Sequence, residues 1–225
     1  MEIKTLITFI IGTRPEAIKL APLIKIFKES NKLKVRVLLS GQHSLMVKQV
    51  MDLFNLTHDT NLNLMKNNQS INYITQEVLN GMRSEFIKNR PQLVFVQGDT
   101  TTAFAASLAA FYEKIPVGHV EAGLRTNKLN DPFPEEANRR LISQISTLHF
   151  APTLNALKNL KDSGISKNLY KSLPEASMPL IFTFGISLHI AAKYAKPIGG
   201  VGSVPTSPWG ATVANLIKVI ILLFI

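Results

Sequence analysis

Short apolar, β-branched runs alternate with longer amphipathic runs through the first two-thirds of this chain. The short runs predict buried strands, and the longer runs, whose apolar residues recur at helical spacing, predict helices. The predicted strands are 5–11, 35–39, 93–96, 117–120 and 147–151, and the predicted helices are 14–30, 70–89, 100–114, 134–145 and 153–161. Strands that alternate with helices form βαβ units. We therefore expect an α/β fold, a doubly wound parallel sheet with helices on both faces.

The turn after the first predicted strand has features of an anion site. Gly12 permits an unusual backbone turn, and Pro15 suits the first helical position because its missing N–H would have no partner there. Free N–H groups at a helix start favour an anion, and Arg14 and Lys19 add positive charge nearby. This pattern predicts a site for a phosphate-bearing small molecule. The alternative is an ordinary strand–helix connection with surface cations.

Polar residues follow several of the predicted strands at their carboxyl ends. They are Thr13-Arg14, Gln42-His43, Asp99 and Glu121. In an open α/β sheet this edge carries the ligand crevice, so four such groups at one edge predict a binding site. Asp99, which precedes three threonines, could instead be a helix cap.

Two acidic groups at this edge also have structural interpretations. Glu121 would be costly to bury without a partner, and Arg125 is a candidate for a structural ion pair with it. Glu135 and Glu136 follow Pro134 at a helix start, where the helix dipole stabilises carboxylates. From the residues alone, the placement of Glu135 and Glu136 favours the structural interpretation, whereas for Glu121 a structural ion pair and a functional role both remain open.

Composition excludes several classes of partner and cofactor. The 225-residue chain has no cysteine, so it has neither a disulfide framework nor a thiolate metal site. The net charge of +10 is dispersed without basic runs, so we expect an anionic ligand and no nucleic acid partner. No second histidine stands at ligand spacing from His43, and we predict no metal. The N-terminus lacks the pattern of a secretory signal.

Five motifs together give a more specific prediction. They are GTRPEAIKLAP at 12–22, SGQH at 40–43, VQGDTTT at 96–102, GHVEAGLRT at 118–126 and PFPEEANRR at 132–140. In this order they resemble the non-hydrolysing UDP-N-acetylglucosamine 2-epimerase family, from about residue 3 to residue 165. The resemblance implies the Rossmann-like N-terminal half of a GT-B-like architecture, with the active site between two domains. It also implies a cytoplasmic, typically homodimeric enzyme that interconverts UDP-GlcNAc and UDP-ManNAc by eliminating and re-adding UDP, without a cofactor.

The resemblance implies site residues position by position. The family's catalytic carboxylates match Asp99, Glu121 and Glu135. The predicted substrate-binding residues are Gly12, Arg14, Lys19, Gln42, His43 and Arg125. Proton removal from C2 of the sugar and its return on the other face require acidic and basic groups of this kind. Which carboxylate is the base and which is the acid stays open.

The family pattern stops abruptly near residue 165. Residues 166–225 lack the Gly-His-Arg-Arg and Ser-Gly-Gly segments that the family's second domain supplies. Two apolar stretches, 179–192 and 211–225, suggest a membrane hairpin, but each is short against the roughly 20 residues of a spanning helix. We therefore expect an epimerase-like domain at 1–165 and an atypical apolar tail at 166–225, from a truncated or frame-shifted gene.

This departure puts activity in doubt. We expect little or no epimerase activity from the chain alone, because the family's phosphate-binding segment and histidine are missing from its sequence. The alternatives are a non-catalytic nucleotide-sugar-binding remnant, a membrane-tethered module and, more weakly, a related glycosyltransferase.

Overall fold

A computed structural model describes residues 4–41, 44–66 and 68–165 of the chain. The strands are β1 (Thr5–Ile11), β2 (Leu33–Leu39), β3 (Thr60–Asn61), β4 (Leu93–Gln97), β5 (Val117–Val120) and β6 (Leu148–Phe150). The helices are α1 (Arg14–Glu29), α2 (Ser44–Leu53), α3 (Ile71–Lys88), α4 (Thr101–Tyr112), α5 (Glu135–Ile145) and α6 (Leu154–Asp162).

The described strands form one parallel sheet in the order β3-β2-β1-β4-β5-β6. This order is that of the doubly wound Rossmann fold, in which the direction of strand addition reverses between β1 and β4. Ligands of such sheets bind beyond the carboxyl ends of the strands at that reversal. The predicted fold class is confirmed, and the predicted clusters after β1 and β4 flank the reversal point.

Helices cover both faces of the sheet. Successive strand residues point to opposite sides, and the apolar residues on each side are buried against helices. On one face, Phe9 of β1 stacks on Phe95 with ring centroids 4.9 Å apart, and Phe27 of α1 meets both rings edge-on. On the other face, Ile10 joins the apolar cluster of α3 and α4. Each buried phenylalanine contributes about 2 kcal/mol of hydrophobic stabilisation, so these two layers fix the sheet that positions the site.

Two elements were not predicted from the sequence, α2 and β3. β3 has only two residues, Thr60–Asn61, which pair with the end of β2 and are too few to show an alternating pattern. α2 follows directly on the SGQH motif, and its ten residues include the buried apolar residues Val47, Val50 and Met51.

The predicted role of Gly12 in an unusual turn is wrong. Its φ does not lie in the left-handed region, where the described glycines are Gly41, Gly98, Gly123 and Gly164. Instead, a Cβ on Gly12 would lie 2.6 Å from Oγ1 of Thr102 on α4. Glycine is therefore required because the end of β1 approaches α4 closely. Pro15 occupies the second position of α1, since the helix begins at Arg14.

Several predictions concern residues beyond those described. Gln42 and His43 lie outside the described ranges, as does the whole of 166–225 with its proposed membrane hairpin. Among the described helices, none combines the length and apolar character that crossing a membrane requires.

Candidate active site

Three predicted site residues lie at one edge of the sheet. Arg14 follows β1, Asp99 follows β4 and Glu121 follows β5, all just past the carboxyl ends of parallel neighbouring strands. Arg14 is exposed in the first turn of α1, and no described residue forms a hydrogen bond or ion pair with it. Its guanidinium is therefore available to an anionic ligand at this edge.

Glu121 is held in place by a lysine and a glutamine. Nζ of Lys19 lies 2.5 Å from both carboxylate oxygens, and the side-chain amide of Gln97 donates to Oε2. The side chain of Glu121 is 21% exposed, so this charge is compensated but accessible. Sequence reasoning offered Arg125 as its ion-pair partner, but Lys19 has that role. Arg125 donates instead to the Leu124 carbonyl and the Ser143 hydroxyl.

The backbone of Glu121 is strained. Its φ is +64°, in the left-handed region that residues other than glycine rarely adopt, at a cost of about 1–3 kcal/mol. Gly98, also at positive φ, lies opposite, where a Cβ would be 3.8 Å from Oε2 of Glu121. Strained residues that their surroundings hold in place are common at functional sites. Here the contacts of Lys19 and Gln97 hold the carboxylate of Glu121 at the sheet edge.

Asp99 is not the cap of α4. The N-cap is Thr100, whose hydroxyl accepts from the Ala103 N–H at 3.0 Å. The carboxylate of Asp99 instead accepts from Nε of Arg139 at 2.6 Å, and its carbonyl accepts from the Asn138 side chain at 2.8 Å. The capping alternative is thereby excluded, and Asp99 is a charged group tied to α5.

Glu135 and Glu136 have different environments at the start of α5. Glu136 is fully buried and accepts from Arg140, Arg139 and the Thr126 N–H. Burial alone would raise its pKa, but these hydrogen bonds and the charge of Arg140 hold the pKa below its ordinary value. Glu135, the predicted catalytic carboxylate, is half-buried and has no polar partner among the described residues. Of the two carboxylates at this helix start, Glu136 therefore has the structural role.

The anion at the start of α1 is a side chain of the chain itself. Oε2 of Glu16 accepts the N–H groups of Gly12 and Thr13 at 2.5 and 2.7 Å, and Oε1 accepts the Thr100 hydroxyl. Burial raises the pKa of Glu16, and the hydrogen bonds partly oppose that rise. The N–H groups of Gly12 and Thr13 are thus already occupied, so these two groups are not free to bind a ligand anion. The exposed side chain of Arg14 remains available to a ligand anion at this turn.

Removing the Glu16 carboxylate is expected to destabilise the fold. Glu16→Ala leaves two N–H groups of the turn without their acceptor, and we expect a loss of about 3 kcal/mol in the free energy of unfolding. Glu16→Gln keeps an acceptor oxygen for both N–H groups and should lose less than half as much. Urea unfolding of both variants measures the difference. Equal losses would mean that charge, and not acceptor geometry, is what the turn requires.

His119 contacts the backbone immediately before Asp99. It is 1% exposed, and its Nε2 lies 2.7 Å from the carbonyl oxygen of Gly98. Burial, opposed by that hydrogen bond, lowers the pKa of His119 to about 3, and the charge of Arg125 adds to the decrease. The ring is therefore neutral at physiological pH, and it must carry its proton on Nε2 to donate to the carbonyl. This contact holds the peptide that precedes Asp99.

Some contacts that were not predicted could have been inferred from local spacing. Glu16 stands three residues after Thr13, which is the spacing of a capping box. Glu136 stands three and four residues before Arg139 and Arg140, which is the spacing of helical ion pairs. Gln97 and His119 gave no such signal, because their partners are distant in sequence. Within the described ranges, no cluster of three His, Asp or Glu side chains is placed to hold a metal ion.

Fold and site together define a Rossmann-like α/β protein with paired charges along the carboxyl edge of its sheet. A family profile described as UDP-N-acetylglucosamine 2-epimerase matches residues 25–170. This chain belongs to the UDP-N-acetylglucosamine 2-epimerase family. The sheet corresponds to the N-terminal half of the GT-B-like architecture, as predicted.

Curated relatives carry the same family name. A UDP-N-acetylglucosamine 2-epimerase of Neisseria meningitidis is 51% identical over 156 residues, which cover 69% of this chain and 42% of that protein. One of Salmonella borreze is 49% identical over 164 residues, covering 72% and 43%. The chain thus spans less than half the length of these relatives.

Solved structures agree with this assignment. UDP-GlcNAc 2-epimerase from Neisseria meningitidis, bound to UDP-GlcNAc, matches with a TM-score of 0.71 at 41% identity, over 84% of this chain and 54% of that chain. The Methanocaldococcus jannaschii enzyme in complex with UDP-GlcNAc and UDP matches at 0.69 and 38% identity, over 73% and 45%. A lipopolysaccharide outer core galactosyltransferase, 12% identical with a TM-score of 0.52, shares the fold alone.

Proposed function

We propose that this chain carries the N-terminal half of a UDP-N-acetylglucosamine 2-epimerase site, which interconverts UDP-GlcNAc and UDP-ManNAc. One observation carries the proposal: Asp99 follows β4 at the reversal point, Glu121 follows the adjacent strand β5, and each carboxylate is paired with a cation. The relatives that bind UDP-GlcNAc in their solved structures support this choice of ligand.

The proposed reaction has two stages. In the first, a base takes the C2 proton, the C2–H electron pair forms a C1=C2 double bond, and UDP leaves C1 with the C–O pair. In the second, UDP adds back to the resulting 2-acetamidoglucal and a proton returns to the opposite face of C2. Asp99, Glu121 and Glu135 are the proposed proton carriers. Arg14 and Lys19 would stabilise the negative charge of departing UDP.

The wider proposal follows the family. We propose a domain at 1–165 followed by an atypical tail at 166–225, a cytoplasmic location, a homodimer and no cofactor. We also propose that turnover by this chain alone is weak. Stabilising the leaving UDP is worth several kcal/mol of barrier, and the family's Ser-Gly-Gly and histidine segments are not in this sequence.

Exchange of the sugar C2 proton tests this function. The chain is incubated with UDP-GlcNAc in D2O, and NMR follows deuterium at C2 and the appearance of UDP-ManNAc. We expect binding and slow incorporation of deuterium, which Asp99→Asn lowers at least about 100-fold because the reacting carboxylate is lost. Asp162→Asn, the same change at an exposed residue of α6, is the control.

The other outcomes are informative. Binding without any exchange would favour the nucleotide-sugar-binding remnant over the enzyme. If the chain binds no UDP-GlcNAc, or if Asp99→Asn exchanges as fast as the unaltered chain, the proposed function is wrong.

A further inference from the structure

Helix α5 holds Asp99 at two points. The Asn138 side chain donates to its carbonyl at 2.8 Å, and Nε of Arg139 donates to Oδ2 of its carboxylate at 2.6 Å. Within the described part of the chain, the other carboxylate oxygen, Oδ1, accepts no hydrogen bond. Backbone and side chain of Asp99 are therefore both fixed by an element 40 residues away in sequence, while one oxygen stays open.

Arg139 is itself held by a second carboxylate. Its NH1 group donates to Oε2 of Glu136 at 3.2 Å, so one guanidinium bridges two carboxylates. Its side chain is only 16% exposed. Burial would lower the pKa of Arg139, but the charge of Asp99 and hydrogen bonds to both carboxylates raise it above its ordinary value. The guanidinium is thus a permanent charge with a fixed orientation.

We propose that Arg139 is a positioning residue for the epimerase reaction: it holds Asp99 through Oδ2 and thereby presents Oδ1 to the bound sugar. This inference rests on the proposed function, in which Asp99 acts on that sugar. A planar guanidinium sets both the distance and the plane of the carboxylate, whereas the point charge of a lysine sets only a distance.

Holding the carboxylate before the sugar arrives has a kinetic consequence. The orientational entropy of the Asp99 side chain is then lost on folding instead of on binding, and a misplacement near 1 Å can cost about 100-fold in rate. An unheld Asp99 would have to find its reactive rotamer in each catalytic cycle. The expected defect therefore lies in the chemical step and not in affinity for UDP.

The neighbouring arginine provides a matched control. Arg140 also donates to Glu136, through Nε at 2.8 Å, and it lies one residue further along the same helix. Its other described hydrogen bond goes to the Thr126 carbonyl and not to Asp99. Arg139→Gln and Arg140→Gln thus both weaken the anchoring of Glu136, but only the first releases Asp99.

The first measurement needs no ligand. NMR of arginine Nε–H groups in the full chain should show a slowly exchanging Arg139 signal that shifts in Asp99→Asn, while the Arg140 signal stays in place. If the Arg139 signal does not respond to Asp99→Asn, the contact does not hold in solution and the inference is wrong. This result is independent of whether the chain acts on UDP-GlcNAc.

The second measurement is the C2 exchange rate. We expect Arg139→Gln to lower it about 100-fold with UDP affinity within threefold, Arg139→Lys to be intermediate, and Arg140→Gln to stay within threefold. Asp99→Asn combined with Arg139→Gln should be no slower than Asp99→Asn alone, because both changes remove the same function.

Equal losses from Arg139→Gln and Arg140→Gln would indicate a purely structural role through Glu136. If the unaltered chain shows no exchange, the proposed function fails, and the arginine signals alone decide the contact that the inference requires.

Discussion

Glu136→Gln is expected to lower the free energy of unfolding by about 3 kcal/mol at neutral pH. The carboxylate is fully buried and compensates two arginines. Its removal leaves Arg140 without a carboxylate partner and Arg139 with Asp99 alone, and breaking a buried charge cluster in this way is costly. The neutral amide also presents an NH2 group towards donors of Arg139, Arg140 or the Thr126 backbone. Urea unfolding followed by circular dichroism measures the loss.

Glu135→Gln is the matched control for this prediction. It makes the same chemical change one residue earlier, at a half-buried side chain with no polar partner among the described residues, and should cost no more than about 0.5 kcal/mol. A loss as large as that of Glu136→Gln would contradict the assignment of the structural role to Glu136.

The pH dependence of this loss follows from the direction of the pKa shift. The pKa of Glu136 is lowered from its ordinary value of 4.5, so the folded state binds its proton less readily than the unfolded state. The stabilisation is therefore complete above pH 4.5 and is lost as the pH falls through the folded-state pKa. The difference between the unaltered chain and Glu136→Gln should accordingly shrink below pH 4.5.

The fold could be predicted because its signals are local. β1, with Phe9 and Ile10 on opposite faces, and α3, with Ile74, Val78, Met82 and Phe86 at helical spacing, show their periodicity within a few residues. Parallel strands bring their carboxyl ends to one edge, so the grouping of Asp99 and Glu121 followed from the topology. The two-residue strand β3 has no such periodicity.

The connections within the site could not be predicted, because they join distant parts of the chain. Lys19 and Glu121 are 102 residues apart, and Glu16 and Thr100 are 84 apart. Arg125 was the nearer cation to Glu121 in sequence. Lys19 reaches Glu121 because α1 begins at the same edge of the sheet at which β5 ends. Local spacing could identify only the contact of Glu16 with Thr13 and the pairs of Glu136 within α5.

These connections change the chemical interpretation of the first turn. A helix start with free N–H groups predicts bound phosphate, but the Glu16 carboxylate occupies the N–H groups of Gly12 and Thr13 and links them to Thr100 beside Asp99. The turn after β1 and the turn after β4 are therefore one hydrogen-bonded unit. This unit joins the turn that carries Arg14 to the turn that carries Asp99.

Gly123→Ala is expected to lower the free energy of unfolding by about 4 kcal/mol. The φ of Gly123 is +92°, where a side chain adds about 1 kcal/mol of strain. Its Cβ would also lie 2.8 Å from the carbonyl carbon of Ala156 and 2.9 Å from Cγ of Leu160, and overpacking of this kind adds up to about 3 kcal/mol. The Ala156 carbonyl is α6 backbone and cannot move aside as the end of a flexible side chain can.

Gly164→Ala is the control, since its φ is +79° and nothing lies within 4 Å of its Cβ position. It isolates the strain and should cost about 1 kcal/mol. If urea unfolding gives both variants the same loss, α6 shifts freely, and the close approach that fixes the turn after Glu121 is not required for stability.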